Sequence, residues 1–185
     1  GVDLKILNVD VLSNKLVTDN PVNRCYYCKQ GVFGTILEAA KNDGMTVILE
    51  GTNASDDADD RPGMKALQEM KVLSPLRMCG YVKSEIRKQS KEAGLFVYNK
   101  PSYACLATRI PTGTEIDEEK IKQVETAETF LFDLGFSDFR VRWMDNKAKI
   151  QMPESRLQAL MEKREIVLEE LSKIFDEVLL DLRTR

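Results

Sequence analysis

Thr46-Val47-Ile48-Leu49-Glu50-Gly51-Thr52-Asn53 is the stretch on which the fold turns. Its first five residues form a short, almost continuously apolar run, the pattern of a parallel strand buried on both faces. Gly51-Thr52-Asn53 then falls at the strand's carboxyl end, the edge at which open α/β sheets bind ligands. On the amino-terminal side, Gly31 to Asn42 places Val32, Phe33, Ile36, Leu37 and Ala40 on one helical face, and Asp43-Gly44 ends that helix. Further back, Leu4 to Asp10 alternates as a strand does, before the turn residues Asp19-Asn20-Pro21. On the carboxyl side come an acidic loop, Asp56-Asp57-Ala58-Asp59-Asp60, a helix over Met64 to Met70, a short strand over Val72 to Leu76, and a helix from Lys83 to Ala93 closed by Gly94. Strand alternating with helix predicts an α/β, Rossmann-like domain with a parallel sheet.

The pattern changes after Pro111-Thr112-Gly113, which divides the chain into residues 1–112 and 113–185. Asp117 is placed to cap a helix running to Leu134, with Gly135 as its stop. Ile121, Val124, Ala127, Leu131 and Leu134 form its apolar stripe. Phe139–Met144 and Lys147–Met152 flank Asp145-Asn146 and read as a hairpin. Pro153 opens a long helix to about Lys173, and Glu177–Leu182 reads as a last strand. The second segment is thus a small α+β domain of order α-β-β-α-β.

The 185 residues are 43% hydrophobic and 31% charged, which fits a globular protein able to bury a core without disulfide staples. No apolar run approaches the length of a membrane span, and no secretory signal is legible. Four cysteines in such a chain read as cytoplasmic thiols, metal ligands or catalytic groups. The net charge of -3 argues against a broad nucleic-acid footprint. There is no histidine, so any chemistry runs on thiols, carboxylates, Lys, Arg or backbone.

Four features carry candidate chemistry. Cys25 and Cys28 share a Cys-x-x-Cys spacing, and Cys105 lies far downstream. Three thiolates leave one position open, which suits an iron–sulfur cluster with an exchangeable ligand, or else the three are ordinary thiols. Cys79 has no partner at motif spacing and reads as structural. Arg140 and Arg142 flank Val141 on a predicted strand, so both point to one face, where they suit a phosphate or carboxylate or form a solvated basic face. Arg109 is a candidate third member. Glu128 interrupts the apolar part of its helix, as a surface group or as a partner to these arginines. Gly51, Thr52 and Asn53 form a ligand loop or an ordinary turn. The acidic run at 56–60 reads as a solvated loop rather than a cation site.

Several segments together resemble the PP-loop ATP pyrophosphatases: Glu50 to Asp57, Arg61-Pro62-Gly63, Ser74-Pro75-Leu76 and Lys83-Ser84-Glu85-Ile86-Arg87. The finer resemblance is to the LarE family of ATP-dependent sacrificial sulfur transferases. It is carried by Asn23-Arg24-Cys25-Tyr26-Tyr27-Cys28-Lys29, by Lys100-Pro101-Ser102-Tyr103-Ala104-Cys105-Leu106-Ala107-Thr108-Arg109-Ile110-Pro111, by Val124 to Glu128 and by Arg140-Val141-Arg142.

The resemblance implies a sulfurtransferase of nickel-pincer cofactor biosynthesis. ATP, with Mg2+, adenylylates a carboxylate of a pyridinium mononucleotide, and sulfur then replaces AMP. In one branch of the family a cysteine at the position of Cys105 gives up its own sulfur. In another, three cysteines hold a [4Fe-4S] cluster, and Cys25 and Cys28 beside Cys105 resemble that branch. The resemblance further implies that Arg140 and Arg142 bind the substrate phosphate and that Glu128 lies near the reacting carboxylate; Gly51, Thr52, Asn53 and Arg109 are further candidate cofactor-binding residues. The expectation is a cytoplasmic homo-oligomer with no nucleic-acid or membrane partner.

The chain departs from the pattern in lacking Ser-Gly-Gly-x-Asp-Ser, which in the superfamily follows the first strand. The expectation is a PP-loop domain without its first β-loop-α unit, and a tail beyond Arg185. Val82 stands where a capping Thr or Ser is expected. Two other readings are open: a PP-loop tRNA thiolation enzyme, and a non-catalytic, zinc-stabilised nucleotide-binding module.

Overall fold

The computed structural model describes residues 3–56 and 61–183, so Asp57 to Asp60 of the acidic run lie outside the described residues. The chain forms two compact units, Gly1–Lys100 and Pro101–Arg185. The division falls a dozen residues before the change of pattern at Gly113. The segment from Pro101 to Pro111 belongs with the second unit because Arg109 is buried there against Glu128.

The first unit is mostly helical among its described residues. Its helices are α1 (Lys15–Thr18), α2 (Arg24–Asn42), α3 (Pro62–Glu69), α4 (Pro75–Met78) and α5 (Lys83–Glu92). Two of the predicted strands shrink to a single parallel bridge, Leu49 to Leu73, with Glu50 N–H donating to the Leu73 carbonyl at 2.8 Å. The predicted strand over Leu4 to Asp10 is irregular chain. Strands need a neighbour to take their backbone groups, and here Leu4 and Ile6 stand 84% and 78% exposed with no ladder beside them. The strand expected to run through Leu76 stops at Ser74, because Pro75 takes the first position of α4, where its missing N–H costs nothing.

Helix α2 begins at Arg24, seven residues before the expected start, so Cys25 and Cys28 lie in its first turns and not in a loop. Packing against α3 explains the extension. Tyr26 Oη donates to Glu69 Oε2 at 2.6 Å, and Lys65 Nζ lies 5.9 Å from the Tyr26 ring centroid. Gly63 sits on α2 so closely that a Cβ there would come within 3.0 Å of the Lys29 side chain. Met64, Leu67 and Val72 form the small buried cluster of this unit.

The second unit contains a 3-10 turn (Leu106–Arg109), α6 (Glu118–Asp133), β1 (Arg140–Met144), β2 (Lys147–Gln151), α7 (Glu154–Glu162), α8 (Arg164–Leu171) and β3 (Glu177–Leu180). Asp117 caps α6 as expected, its Oδ1 accepting from Lys120 N–H at 2.8 Å. β1 and β2 form the predicted hairpin. Asp145 and Asn146 both take positive φ, 50° and 57°, as a two-residue turn matched to strand twist requires. β3 pairs parallel to β2 in the order β1-β2-β3. A parallel pair needs a crossover, supplied here by two helices rather than the one expected. Lys163 separates α7 from α8, and its ammonium donates to the Leu134 carbonyl at 2.8 Å.

One face of this sheet builds the core. Val141, Ala148 and Ile150 pack with Ala127 and Leu131 of α6, Leu160 of α7, and Val167 and Leu171 of α8. Full burial of a side chain such as Leu131 contributes about 1.5–3 kcal/mol. The opposite face carries Arg140, Arg142, Lys149 and Gln151. Taken as a whole, the chain is mixed α/β.

Candidate functional site

The second unit presents an exposed thiol on a tightly anchored turn. Cys105 is exposed and is the residue that enters the 3-10 turn. Its carbonyl accepts from Thr108 N–H at 2.9 Å and from Thr108 Oγ1 at 2.7 Å. The turn ends in Arg109, whose side chain is 1% exposed. Arg109 Nε donates to Glu128 Oε1 at 2.7 Å and Nη2 donates to Oε2 at 3.0 Å, a two-pronged pair. Arg109 Nη1 reaches Thr108 Oγ1 at 3.0 Å.

Glu128 completes its contacts with Val141 N–H at 2.8 Å and Tyr103 Oη at 2.6 Å. Four donors thus fill the four lone-pair positions of a carboxylate. The polar residue that interrupts the apolar stripe of α6 is therefore a partner to an arginine, as one of the two sequence readings had it. A buried charge pair holds when its geometry is good and its remaining hydrogen-bonding capacity is met, and both conditions are satisfied here. The Tyr103 ring lies 5.3 Å from the Arg109 guanidinium carbon and 5.7 Å from the Phe132 ring. Burial first, and the hydrogen bond to Glu128 second, push the Tyr103 hydroxyl well above its usual pKa.

Arg140 and Arg142 share the open sheet face, each half-buried, with Val141 buried between them. Arg142 Nη1 donates to the Thr108 carbonyl at 2.6 Å and Nε to Gln151 Oε1 at 2.8 Å. Across the hairpin, Arg140 faces Gln151 and Arg142 faces Lys149. Gln151 Nε2 donates to Asp181 Oδ2 at 2.7 Å, and Lys149 Nζ lies 3.1 Å from the same oxygen. Those two contacts, the Gln151 bond first, hold the Asp181 carboxyl well below the ordinary range. Arg109 does not stand on this face with the other two arginines; it is turned into the core on Glu128.

Sequence reasoning quoted Tyr103 and Thr108 within a motif without giving them a role, and passed over Lys149, Gln151 and Asp181. The period of two along β2 could have found Lys149 and Gln151 once the hairpin register was set. Nothing in the local sequence marks Tyr103 and Thr108, which depend on where α6 lies.

In the first unit the Gly51-Thr52-Asn53 loop follows the Leu49 bridge, as its position in the sequence implied. Glu50 Oε2 accepts from Thr52 N–H at 3.0 Å and from Thr52 Oγ1 at 2.7 Å, and the other Glu50 oxygen accepts from Ser74 Oγ. Asp56 Oδ2 accepts from Asn53 N–H at 3.1 Å and from Asn53 Nδ2 at 2.9 Å. Arg61 Nη1 lies 3.3 Å from Asp56 Oδ1, and Arg77 donates to the Asp56 carbonyl at 2.6 Å. Three separate sequence motifs, Glu50 to Asp57, Arg61-Pro62-Gly63 and Ser74-Pro75-Leu76, therefore meet around one loop.

Cys25 is exposed and Cys28 half-buried, three residues apart and so on one side of α2. None of the four cysteines is in a disulfide. Among the described residues, neither unit by itself brings three Cys, Asp or Glu side chains together as a ligand set. No helix of the described residues is long and apolar enough to cross a membrane.

No family model matches the chain. It is 35% identical to an uncharacterised protein of Synechocystis over 95% of its own length and 65% of that protein's. It is 32% identical to the pyridinium-3,5-bisthiocarboxylic acid mononucleotide synthase of Lactiplantibacillus plantarum, over 98% of its own length and 66% of the synthase's. It is 30% identical to an uncharacterised protein of Methanocaldococcus jannaschii over 90% of its own length and 64% of that protein's. The chain thus spans about two thirds of the length of the curated relatives it matches. The similarity to the synthase runs across nearly every residue of the chain.

Proposed function

We propose that the protein is an ATP-dependent sulfur transferase acting on a carboxylate of a pyridinium mononucleotide, in the biosynthesis of a nickel-pincer cofactor. The observation that carries this reading is the exposed Cys105 thiol, mounted on a turn whose far end is fixed by a fully buried Arg109–Glu128 pair. A sulfur donor must be reachable by substrate while being held in one orientation. An exposed side chain on a buried anchor meets both needs.

The chemistry proposed is acyl transfer in two stages. A substrate carboxylate oxygen attacks the α-phosphorus of ATP and pyrophosphate leaves, giving an acyl adenylate. Sulfur then attacks the acyl carbon and AMP leaves as a stable anion. Arg140 and Arg142, on the open face of the hairpin, are proposed to hold the substrate phosphate. Arg142 also ties that face to the Cys105 turn through the Thr108 carbonyl. Gly51, Thr52 and Asn53 are proposed to face ATP with Mg2+, their conformation fixed beforehand by Glu50 and Asp56. Glu128, whose four acceptor positions are filled, is assigned to holding the thiol turn and through it the thiol's place beside the reacting carboxylate.

The donor set fits a [4Fe-4S] cluster in its chemistry. Cys25 and Cys28 stand on one side of α2, Cys105 is an exposed third thiol, and none is consumed in a disulfide. These three residues would hold it, and when bound it would supply a sulfide for transfer. Without it, Cys105 is left as the donor: its Cβ–S bond breaks as the Cα proton is lost, leaving dehydroalanine.

Iron and acid-labile sulfide, measured on protein purified without oxygen, test the reading. About four irons per chain, lost in both Cys25→Ala and Cys105→Ala, are expected. An iron-free protein that loses the mass of one hydrogen sulfide at Cys105 after turnover would replace the cluster with the sacrificial route. In a full-length protein carrying the phosphate loop, an unchanged Cys105, with no thiocarboxylate formed from substrate and ATP, would overturn the function.

A further inference from the structure

Tyr103 is the residue near the thiol to which neither the family resemblance nor the proposed chemistry gives a part. We propose that Tyr103 is a positioning residue for the Cys105 thiol, closing the second of two clamps on one buried carboxylate. Arg109 holds the downstream end of the turn with two bonds to Glu128. Tyr103, two residues upstream of the thiol, reaches the same carboxylate with its hydroxyl at 2.6 Å. Cys105 therefore lies on a segment fastened on both sides to a single side chain of α6.

The ring supports the hydroxyl. It packs at a tilt on Phe132, which in turn packs on Phe139 at 4.7 Å between centroids, and it lies under the Arg109 guanidinium. The ring is half exposed, at 50%, so it is not held by burial alone. The hydroxyl bond fixes where the chain enters the turn. Released at that end, residues 102–105 would pivot about the Arg109 anchor, and the thiol would sweep a range of directions. This assignment rests on the reading of Cys105 as the sulfur-bearing residue, but its first test does not need turnover.

Tyr103→Phe removes the hydroxyl and leaves the ring on Phe132 and Arg109. Glu128 keeps both bonds to Arg109, so the pair stays satisfied and the fold persists. The full chain, reduced and stripped of metal, is treated with iodoacetamide, and alkylation is followed separately at Cys105 and Cys79 by peptide mass. Cys105 is already exposed, so its alkylation is not gated by opening of the turn; released to sweep a wider range of directions, the thiol is expected to alkylate about twofold to threefold faster while Cys79 keeps its rate. Under sulfur-transfer conditions the variant is expected to lose kcat with substrate KM unchanged.

A Cys105 rate equal to that of the parent overturns the proposal, as does an equal rise at Cys79, which would report general loosening. A raised KM with kcat intact also overturns it, because Tyr103 would then be binding substrate. Absence of any sulfur transfer by a full-length parent protein carrying the phosphate loop would overturn the proposed function alone, and the alkylation rates would still decide the role of Tyr103.

Discussion

Glu128 is the residue through which the second unit is held to its thiol. It takes Arg109 by two bonds, the Tyr103 hydroxyl and the Val141 amide, so it joins a turn, a loop and a strand at one point. Replacing both charges of such a pair by well-packed apolar groups is often tolerated, whereas removing one partner strands the other. Glu128→Ala would leave the Arg109 guanidinium buried and unpaired. It is expected to cost about 3–5 kcal/mol in urea unfolding, far more than an exposed ion pair such as Lys147–Glu177. A loss below about 1 kcal/mol, within the range of a surface pair, would show that the carboxylate does not anchor the turn. Glu128 was legible as an oddity, a charge within an apolar helical stripe. Its partner on a turn nineteen residues earlier was only one of the readings open.

At the level of elements, α5 shows one motif repairing another. Val82 precedes the helix and has no side-chain oxygen with which to cap it. Ser55, from the loop after Gly51-Thr52-Asn53, accepts from Lys83 N–H at 2.9 Å, and Glu85 accepts from Val82 N–H at 3.1 Å. Helix ends left without such acceptors lose stability. Ser55→Ala is expected to cost about 1 kcal/mol, read as faster amide exchange confined to the first turn of α5. Unchanged exchange there would place the cap elsewhere.

The same comparison shows what sequence can and cannot supply. Helix α6 and the hairpin were readable because their signals are local: a capping Asp117, a stop at Gly135, and two residues suited to positive φ between alternating strands. The strands of the first unit were not, because an apolar run such as Val47 to Leu49 becomes a strand only when a neighbour pairs with it. Here Leu49 meets Leu73 at one bridge and stands 60% exposed. The early start of α2 depends on α3 for the same reason. The thiols and the two arginines of β1 were picked out as candidates from residue type and spacing. The bonds that orient them join residues distant in sequence, as when Arg142 reaches back to the Thr108 carbonyl.

On the scale of the whole molecule, the two units differ in how much they bury. The second surrounds its sheet with a dozen buried apolar side chains in one cluster, while the first gathers Met64, Leu67 and Val72. Stability follows buried apolar area, and units with separate cores can open separately. Hydrogen exchange on the intact chain is expected to protect α6 and β1–β3 longest, with α2 and α3 exchanging earlier through a partial opening. Matching exchange free energies in both units would mean that they unfold as one.

The way the Cys105 turn is fastened bears on the fate of that position. Every bond that shapes the turn comes from a backbone group or from a neighbour's side chain, and none from the sulfur. Residue 105 can therefore change its chemical identity, to alanine by mutation or to dehydroalanine by reaction, without the mounting losing its form. On the proposed sacrificial route, a spent chain would keep the outline of a fresh one, distinguished by its cargo and not by its architecture.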